Sequence, residues 1–190
     1  MSSLSAERER LVVLLKKQAK QQGRKDRNRK GSRKRRWAKT ALHRLRGLIA
    51  ASQNTILRLK NQGPRKAVRW ALAQQGTAEH PDGSNWGKPV ENWIKFTGYT
   101  SPVPWCGCFA ARAVVGEGKA VIPSRIRLGY TGYIEADAAN KDNGLREVPF
   151  GAARAGDIVV FKFGHIAIVR GKPSITTIPT IEGNTSPLSS

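Results

Sequence analysis

The uneven distribution of charge along this chain is the feature that most constrains its fold. Residues 1–66 hold 21 of the 34 Lys and Arg residues but 3 of the 13 acidic ones, for a net charge near +18, whereas residues 67–190 are almost balanced. A segment with so much charge of one sign repels itself and favours disorder or loose helix. The sequence therefore predicts two parts: a basic arm, residues 1–62, and a domain of ordinary globular composition, residues 65–190.

Two features describe the arm in more detail. Residues 5–30 are rich in helix formers, but residues 16–39 are almost entirely basic and polar, and Gly23 and Gly31 weaken any helix there. We therefore expect this stretch to be disordered or only loosely helical in isolation. Pro64 follows Gly63 at the junction of the two parts, and proline disfavours an uninterrupted helix through that point.

A short heptad pattern occupies the second half of the arm. Its positions follow an alternating spacing of three and four residues, with one polar member: Leu42, Leu45, Ile49, Ser52, Ile56 and Leu59. Two interpretations remain open. The face packs as an ordinary amphipathic helix on the rest of the chain, or it supports self-association through residues 42–59.

The basic residues of the arm predict a polyanionic partner. Charge steering and counterion release would attract an anionic polymer to residues 8–46. Nucleic acid, anionic wall polymer and an anionic membrane surface all fit. Trp37 lies within the basic run, where it could stack on a base or sit at a lipid interface. No recognition-helix or zinc-finger spacing selects DNA among these partners.

Membrane insertion and export are not indicated by the sequence. No stretch approaches the roughly 18 apolar residues that span a bilayer. The longest apolar run near the start, residues 11–15, is too short for the core of a signal peptide and is not followed by a cleavage site of small residues. We therefore expect no signal peptide.

The globular part contains a cysteine in a chemically favourable position. Residues 65–76 predict an amphipathic helix that ends at Gly76, and a short helix is expected near residues 90–96. Pro104 then interrupts the chain, and helix formers follow from Cys106, so that this residue should lie at a helix N-terminus. Unpaired N–H groups and the helix dipole favour a nucleophilic thiolate there. Gly107 would allow backbone and substrate to approach closely, and nearby N–H groups could stabilise an oxyanion.

The second cysteine is expected to differ from the first. Cys108 lies roughly 200° further around a helix and should pack inward. Two cysteines separated by one residue suit neither a structural disulfide nor a zinc site. The alternative interpretation is that both are small buried hydrophobic residues.

His165 is the histidine best placed to act as a base. His43 lies in the basic arm and His80 in a loop, whereas His165 begins the second of two strands joined by a turn near residues 162–164. At a strand start its ring would face a groove, although it could instead cap the turn. Glu182 and Asn184 are two residues apart, so that on a strand they would share a face and could orient the imidazole. A polar edge strand with a solvated Glu is the alternative.

Together these stretches resemble the CHAP domain, the cysteine, histidine-dependent amidohydrolase/peptidase family of bacteriophage lysins. The resemblance spans residues 65–186 or so and rests on motifs in the family's order. The matching motifs are Trp105-Cys106-Gly107, the strand 156–161 that leads to His165-Ile166-Ala167-Ile168-Val169, and Glu182-Gly183-Asn184. The upstream Gly83-Ser84-Asn85-Trp86-Gly87 is similar to the loop before the nucleophile in many such lysins.

The resemblance implies an α+β, papain-like fold, in which a nucleophile helix packs on an antiparallel sheet, here with a basic α-helical N-terminal extension. It implies that Cys106 is the nucleophile, that His165 is the general base, and that Glu182 and Asn184 orient the imidazole. The substrate side of the site would include Trp105, Gly107, Trp86 and Asn85. The implied substrate is peptidoglycan, cut at the amide between muramic acid and L-alanine or at a peptide bond of the stem or cross-bridge, through a thioester.

The sequence and the resemblance lead to further expectations about metal ions, location and alternative functions. Glu79, Asp82 and Glu91 are too scattered to predict a metal site, and no cofactor is expected. The enzyme would remain in the host cytoplasm until released to the wall, or be carried in a phage particle. The chain ends at Ser190, so that the sheet edge would be truncated or covered by the N-terminal segment. The alternatives are a non-enzymatic virion or nucleic-acid-binding protein on a CHAP-like scaffold, and a virion protein that also lyses wall during entry.

Overall fold

The structure is a computed structural model that describes residues 3–28 and 32–185, apart from the side chains of residues 59 and 60. The chain divides into two compact units, Met1–Asn61 and Gln62–Ser190. Within the described ranges, no helix has the length and apolar character needed to cross a bilayer. The sequence predicts a sheet edge that is truncated or covered by the N-terminal segment, and residues 186–190, which follow that edge, lie outside the described residues.

The first unit is a helical hairpin. Helix α1 spans Leu4–Arg27 and begins where the hydroxyl of Ser3 accepts a hydrogen bond from the N–H of Ala6. Helix α2 spans Arg33–Leu72 and contributes its residues 33–61 to this unit. Near the start of α1, Ser52 Oγ of α2 donates to Glu7 Oε2 at 3.2 Å. Just after the end of α1, Arg35 Nη1 at the start of α2 donates to the carbonyl of Asn28 at 3.1 Å. The two helices therefore run antiparallel.

Both helices of the hairpin turn a heptad face inward. The residues of this face are buried or half-buried: Leu4, Glu7, Leu11, Leu14, Gln18, Gln21 and Lys25 on α1, and Arg35, Ala38, Leu42, Leu45, Ile49, Ser52 and Ile56 on α2. The heptad predicted from the sequence is confirmed at Leu42, Ile49 and Ser52, which are all buried. The side chain of Leu59 is outside the described part. The face thus packs within one chain, against a partner helix that the sequence did not reveal.

For residues 16–39 the sequence predicts disorder or loose helix in isolation, and the structure has helix over most of the residues that it describes there. Residues 16–27 and 33–39 are helical, and Gly23 lies inside α1. The basic side chains stay on the outer faces, where water hydrates them, while the inner faces bury each other. Residues 29–31, including Gly31, lie outside the described residues. Pairing of two helices therefore outweighs the repulsion that the charge run implied.

The expected break at Pro64 is wrong, because Pro64 lies inside α2. Proline leaves the carbonyl four residues earlier without its helical partner, but it does not forbid a helix that packing supports. Such packing exists in the second unit: a Cβ built on Gly156 would lie 2.7 Å from Cβ of Pro64. The helix ends at Leu72 rather than Gly76, and Gly76, with φ of 85°, closes the turn that follows.

The second unit is an α+β domain, as the sequence predicts. Its three strands are β1 (Ile158–Phe161), β2 (His165–Val169) and β3 (Thr180–Glu182). They form an antiparallel sheet in the order β1-β2-β3, and the hairpin of β1 and β2 predicted around residues 162–164 is confirmed. The short helix predicted near residues 90–96 is α3 (Val90–Thr97). The remaining elements are α4 (Cys106–Ala111), a π-helical turn (Arg112–Glu117), a 3-10 turn (Ile126–Gly129), α5 (Thr131–Asn140) and a second 3-10 turn (Phe150–Ala152).

The core of this domain forms where α4 packs on β2. Every residue of α4 is buried, and Ile166 and Ile168 of β2 are at most 1% exposed. Aromatic rings close the other side of α4: Trp93 lies 5.2 Å from Phe109 and 5.5 Å from Trp105 between ring centroids. A wholly buried helix fixes the position of its first residue, which is Cys106.

Candidate active site

Cys106 is the first residue of α4, as the sequence predicts. Trp105 caps the helix, and its carbonyl accepts the N–H of Phe109 at 2.8 Å. The helical path continues from α4 into the π-helical turn, so that the nucleophile candidate starts a longer run of helical backbone. Cys106 is 6% exposed, so that the residue is buried.

Gly107 explains how α4 is seated. A Cβ at this position would collide with the carbonyl oxygen of Leu128 and would lie 2.8 Å from Cδ1 of Ile166 and 2.9 Å from Cα of Gly129. Only glycine fits between these groups. The space on the Cβ side of Gly107 is therefore filled by the protein, which gives this glycine a packing role. Contact of Gly107 with substrate stays a prediction.

The turn over Gly107 is held by an ion pair and a hydroxyl. Arg127 Nε lies 2.8 and 3.0 Å from the two carboxylate oxygens of Asp137 on α5. Because this guanidinium donates to it, the pKa of the buried Asp137 is below its usual value. The hydroxyl of Tyr99 also donates to the carbonyl of Ile126 at 3.2 Å. The 126–129 turn is thus a fixed wall beside the start of α4.

His165 and Glu182 form a pair at the edge of the sheet. His165 begins β2, and its side chain is 12% exposed. Its Nε2 lies 3.2 Å from Oε2 of Glu182, although the N–H direction is not aligned for a full hydrogen bond. In the register Glu182 is opposite Ala167, so that it reaches His165 along the diagonal of the antiparallel pair.

Glycine contacts bring this pair to the nucleophile helix. Ile166, which follows His165, packs on Gly107, which follows Cys106. A Cβ on Gly183, which follows Glu182, would lie 2.7 Å from Cζ3 of Trp105 and 2.9 Å from Cγ of Phe109. The three segments that carry Cys106, His165 and Glu182 therefore meet in one region.

Asn184 is not placed as the sequence predicts. Strand β3 ends at Glu182, and Asn184 follows it with a φ of 59° in the left-handed region. The alternation of side chains along a strand therefore does not extend to Asn184, and the prediction that it shares a strand face with Glu182 is wrong. Asn adopts this conformation more readily than most residues, which suits it to the turn that terminates β3.

Cys108 is confirmed as an inward-facing residue. It is fully buried, and its Sγ lies 3.4 Å from Oγ1 of Thr97. Burial raises the pKa of the Cys108 thiol, because desolvation penalises the thiolate. Cys108 thus behaves as a structural thiol, which leaves Cys106 as the nucleophile candidate.

Trp105 lies in the aromatic core rather than on an open surface. It is 6% exposed, and its indole N–H has no hydrogen-bond partner among the residues that the structure describes. Its ring contacts Trp93 and Phe109, and it supports the helix start. A role in substrate binding stays a prediction.

Asn85 and Trp86 belong to a loop closed by its own hydrogen bonds. The carboxylate of Glu79 accepts the N–H of Gly83 at 3.1 Å and that of Asn85. The N–H of His80 donates to the carbonyl of Trp86 at 2.9 Å. Trp86 packs against the core cluster. Glu79 therefore shapes this loop, a role that the sequence analysis did not assign, and contact of Asn85 and Trp86 with substrate stays a prediction.

Two residues near His165 were missed by the sequence analysis. Phe163 is 77% exposed, and its ring lies parallel to the imidazole. Thr180 Oγ1 donates to Oε1 of Glu182 at 2.6 Å. Thr180 could have been found from the two-residue period of a strand, because it precedes Glu182 by two residues. Phe163 lies in the turn between β1 and β2, where that period does not apply.

A search of residues 3–28 and 32–185 finds no group of three or more His, Cys, Asp or Glu side chains placed to hold a metal ion. Comparison with known proteins finds no matching family model, curated protein or solved structure. The class that the fold defines is an α+β domain with a helix packed on a small antiparallel sheet. Its candidate site residues are the cysteine that starts the helix and a His-Glu pair on the sheet.

Proposed function

We propose that this chain is a peptidoglycan hydrolase of the phage lysin type, in which a papain-like CHAP domain cleaves an amide or peptide bond of the cell wall. One observation carries the proposal. Cys106 begins a buried helix that packs on β2, the strand that starts at His165, and Nε2 of His165 lies 3.2 Å from Oε2 of Glu182. A thiol, an imidazole and a carboxylate in that order are the groups that cysteine acyl transfer needs.

The reaction divides among these residues as follows. His165 takes the proton of the Cys106 thiol, and the thiolate attacks the carbonyl carbon of the scissile bond. Collapse of the tetrahedral intermediate breaks the C–N bond, and the imidazolium returns its proton to the leaving amine. The resulting thioester is hydrolysed by a water that His165 deprotonates. Glu182, at 3.2 Å from Nε2, would favour the tautomer in which Nδ1 is unprotonated and able to act as the base.

The helical hairpin would provide the anionic attachment. Its outer faces carry exposed basic side chains, among them Lys16, Lys17, Lys20, Arg24, Arg33, Lys34, Arg36, Lys39, Arg44 and Arg46. Wall polymer, membrane surface and nucleic acid share the anionic chemistry that these side chains attract. Self-association through residues 42–59 has less support, because Leu42, Ile49 and Ser52 are already buried within one chain. Release from the host cytoplasm or delivery in a phage particle would bring the enzyme to the wall.

The central experiment compares the two cysteines. Purified cell walls are incubated with the full chain, with Cys106→Ala and with Cys108→Ala, while turbidity is followed and released fragments are identified by mass spectrometry. We expect Cys106→Ala to abolish clearing and Cys108→Ala to retain it if the variant folds, as checked by circular dichroism. Full activity of Cys106→Ala would show that the assigned nucleophile is wrong, and the fragment masses identify the bond that is cut.

A non-enzymatic nucleic-acid-binding protein is the second candidate, and the basic hairpin is the observation that favours it. Binding of the full chain to duplex DNA and to purified walls, each measured over a range of salt, separates the two. Binding to DNA at physiological salt, together with intact walls after long incubation, would favour this second function over hydrolysis.

A further inference from the structure

We propose that Thr180 is a positioning residue that holds the carboxylate of Glu182 beside His165. The inference rests on the proposed function, since it concerns the same site. The two oxygens of the carboxylate have different partners: Oε1 accepts from the hydroxyl of Thr180 at 2.6 Å, and Oε2 lies 3.2 Å from Nε2 of His165. The site is therefore a chain from a hydroxyl through a carboxylate to an imidazole.

The strand register produces this chain. Thr180 is opposite Val169 and Glu182 is opposite Ala167, so that both side chains lie on one face of β3. His165 lies two residues before Ala167 on the neighbouring strand and occupies the adjacent position on that face. A hydroxyl two residues before the carboxylate is thus on the side of Glu182 away from the imidazole, where it can bind the second oxygen.

Glu182 needs such a partner because little else restrains it. Its side chain is 33% exposed, and no Lys or Arg pairs with it in the part of the chain that the structure describes. A glutamate has three rotatable bonds and loses side-chain conformational entropy when it is fixed. A hydrogen bond from Thr180 reduces the set of rotamers, so that Oε2 stays near the imidazole.

Threonine suits this role better than other residues. Its β-branched side chain has few χ1 rotamers in a strand, so that the hydroxyl direction is largely set by the backbone. Serine keeps the donor with more freedom, whereas valine keeps the shape and removes the donor. The series Thr180, Thr180→Ser and Thr180→Val therefore separates hydrogen bonding from strand packing.

The first measurement is kinetic, with purified muropeptides as substrate. We expect Thr180→Val to lower kcat about three- to tenfold, the range of one lost hydrogen bond, with little change in KM. Thr180→Ser should restore most of kcat. Thr176→Val is the matched control, because Thr176 is exposed and its hydroxyl makes no hydrogen bond within the described residues. In a Glu182→Ala background Thr180→Val should have no further effect.

The second measurement does not depend on activity. In the Cys106→Ala variant, ¹⁵N NMR of the His165 ring reports which nitrogen carries the proton in the neutral form. We expect the Nε2–H tautomer to dominate, to lose population in Thr180→Val and to persist in Thr180→Ser and Thr176→Val. This experiment tests Thr180 even if the walls are not hydrolysed.

Two outcomes would overturn the proposal. One is a loss of kcat from Thr180→Val that is equal in the wild-type chain and in the Glu182→Ala background, which would mean that Thr180 does not act through the carboxylate. The other is an unchanged His165 tautomer in folded Thr180→Val. Activity that survives Cys106→Ala would instead contradict the proposed function, and the NMR result would then decide the role of Thr180 alone.

Discussion

The ring of Phe163 lies parallel to the imidazole of His165, with centroids 5.9 Å apart and 11° between the ring planes. The ring of Phe161 stacks on the ring of Phe163, with centroids 5.2 Å apart, so that the end of the β1–β2 hairpin presents a short aromatic stack. Phe163 is nevertheless 77% exposed. A large apolar ring that is mostly exposed beside the candidate base is in a position to contact a substrate.

Replacing Phe163 tests that contact. We expect Phe163→Ala to lower kcat/KM on purified muropeptides about two- to tenfold, through KM more than kcat, because an aromatic contact contributes about 0.5–1.5 kcal/mol. The fold should be unaffected, since the ring is exposed. Phe150→Ala is the control, because Phe150 is also an exposed phenylalanine (48%) but lies in a 3-10 turn rather than beside His165. Equal losses in both variants would contradict a specific role for Phe163.

Packing at Gly107 predicts a large effect on stability. Gly107→Ala would place a methyl group against the Leu128 carbonyl and Cδ1 of Ile166, and overpacking of this kind costs about 1–3 kcal/mol in the free energy of unfolding. Urea denaturation of the full chain measures the change. Gly151→Ala is the comparison, because nothing lies within 4 Å of a Cβ there, and we expect a change below about 0.5 kcal/mol. Similar midpoints for the two variants would show that the start of α4 can move to accommodate the methyl group.

The Arg127–Asp137 pair predicts a dependence of stability on pH. Arg127 lowers the pKa of Asp137 in the folded state. The stabilisation is therefore complete above the unfolded pKa of about 4 and is lost as the pH falls through the lower folded pKa.

Asp137→Asn should consequently be less stable than the wild type at pH 7, and the difference in unfolding free energy should shrink as the pH falls below 4. Denaturation of both proteins at several pH values measures this. A difference that stays constant down to pH 2 would mean that the carboxylate charge is not the source of the stabilisation.

The basic faces of the hairpin predict a salt-dependent affinity, for which duplex DNA is a convenient reference polyanion. Replacing three exposed lysines of α1, Lys16, Lys17 and Lys20, by Gln should weaken binding. If each contacts a phosphate, the slope of log Kobs against log salt should fall by roughly 2–3, at about 0.9 for each contact.

Three exposed cations of the second unit provide the matched control, as the triple variant Lys141→Gln, Arg146→Gln and Lys172→Gln. It removes the same net charge, so that an equal change in slope would show a general effect of charge rather than contacts by α1. Fluorescence anisotropy at a series of salt concentrations measures both variants.

Much of the architecture could be predicted from local patterns. The heptad of α2, the helix that begins at Cys106 and the β1–β2 hairpin each depend on neighbours a few residues apart, and such periodicity is visible in the chain itself. The errors have a common origin. Pro64 and Asn184 were interpreted by local propensity. Packing on Gly156 decided the conformation at Pro64, and the end of β3 decided that of Asn184.

The sequence by itself determined the division into a basic arm and a nearly neutral domain, the α+β class of that domain and the start of a helix at Cys106. Charge, hydrophobic periodicity and helix-stop signals are properties of residues close together in the chain. Only the tertiary structure decided that α1 covers the heptad face of α2, that Gly107 is a packing residue and that Thr180, Glu182 and His165 form one chain of contacts. These depend on strand register and on close approach between distant segments, where an ångström decides which side chain fits.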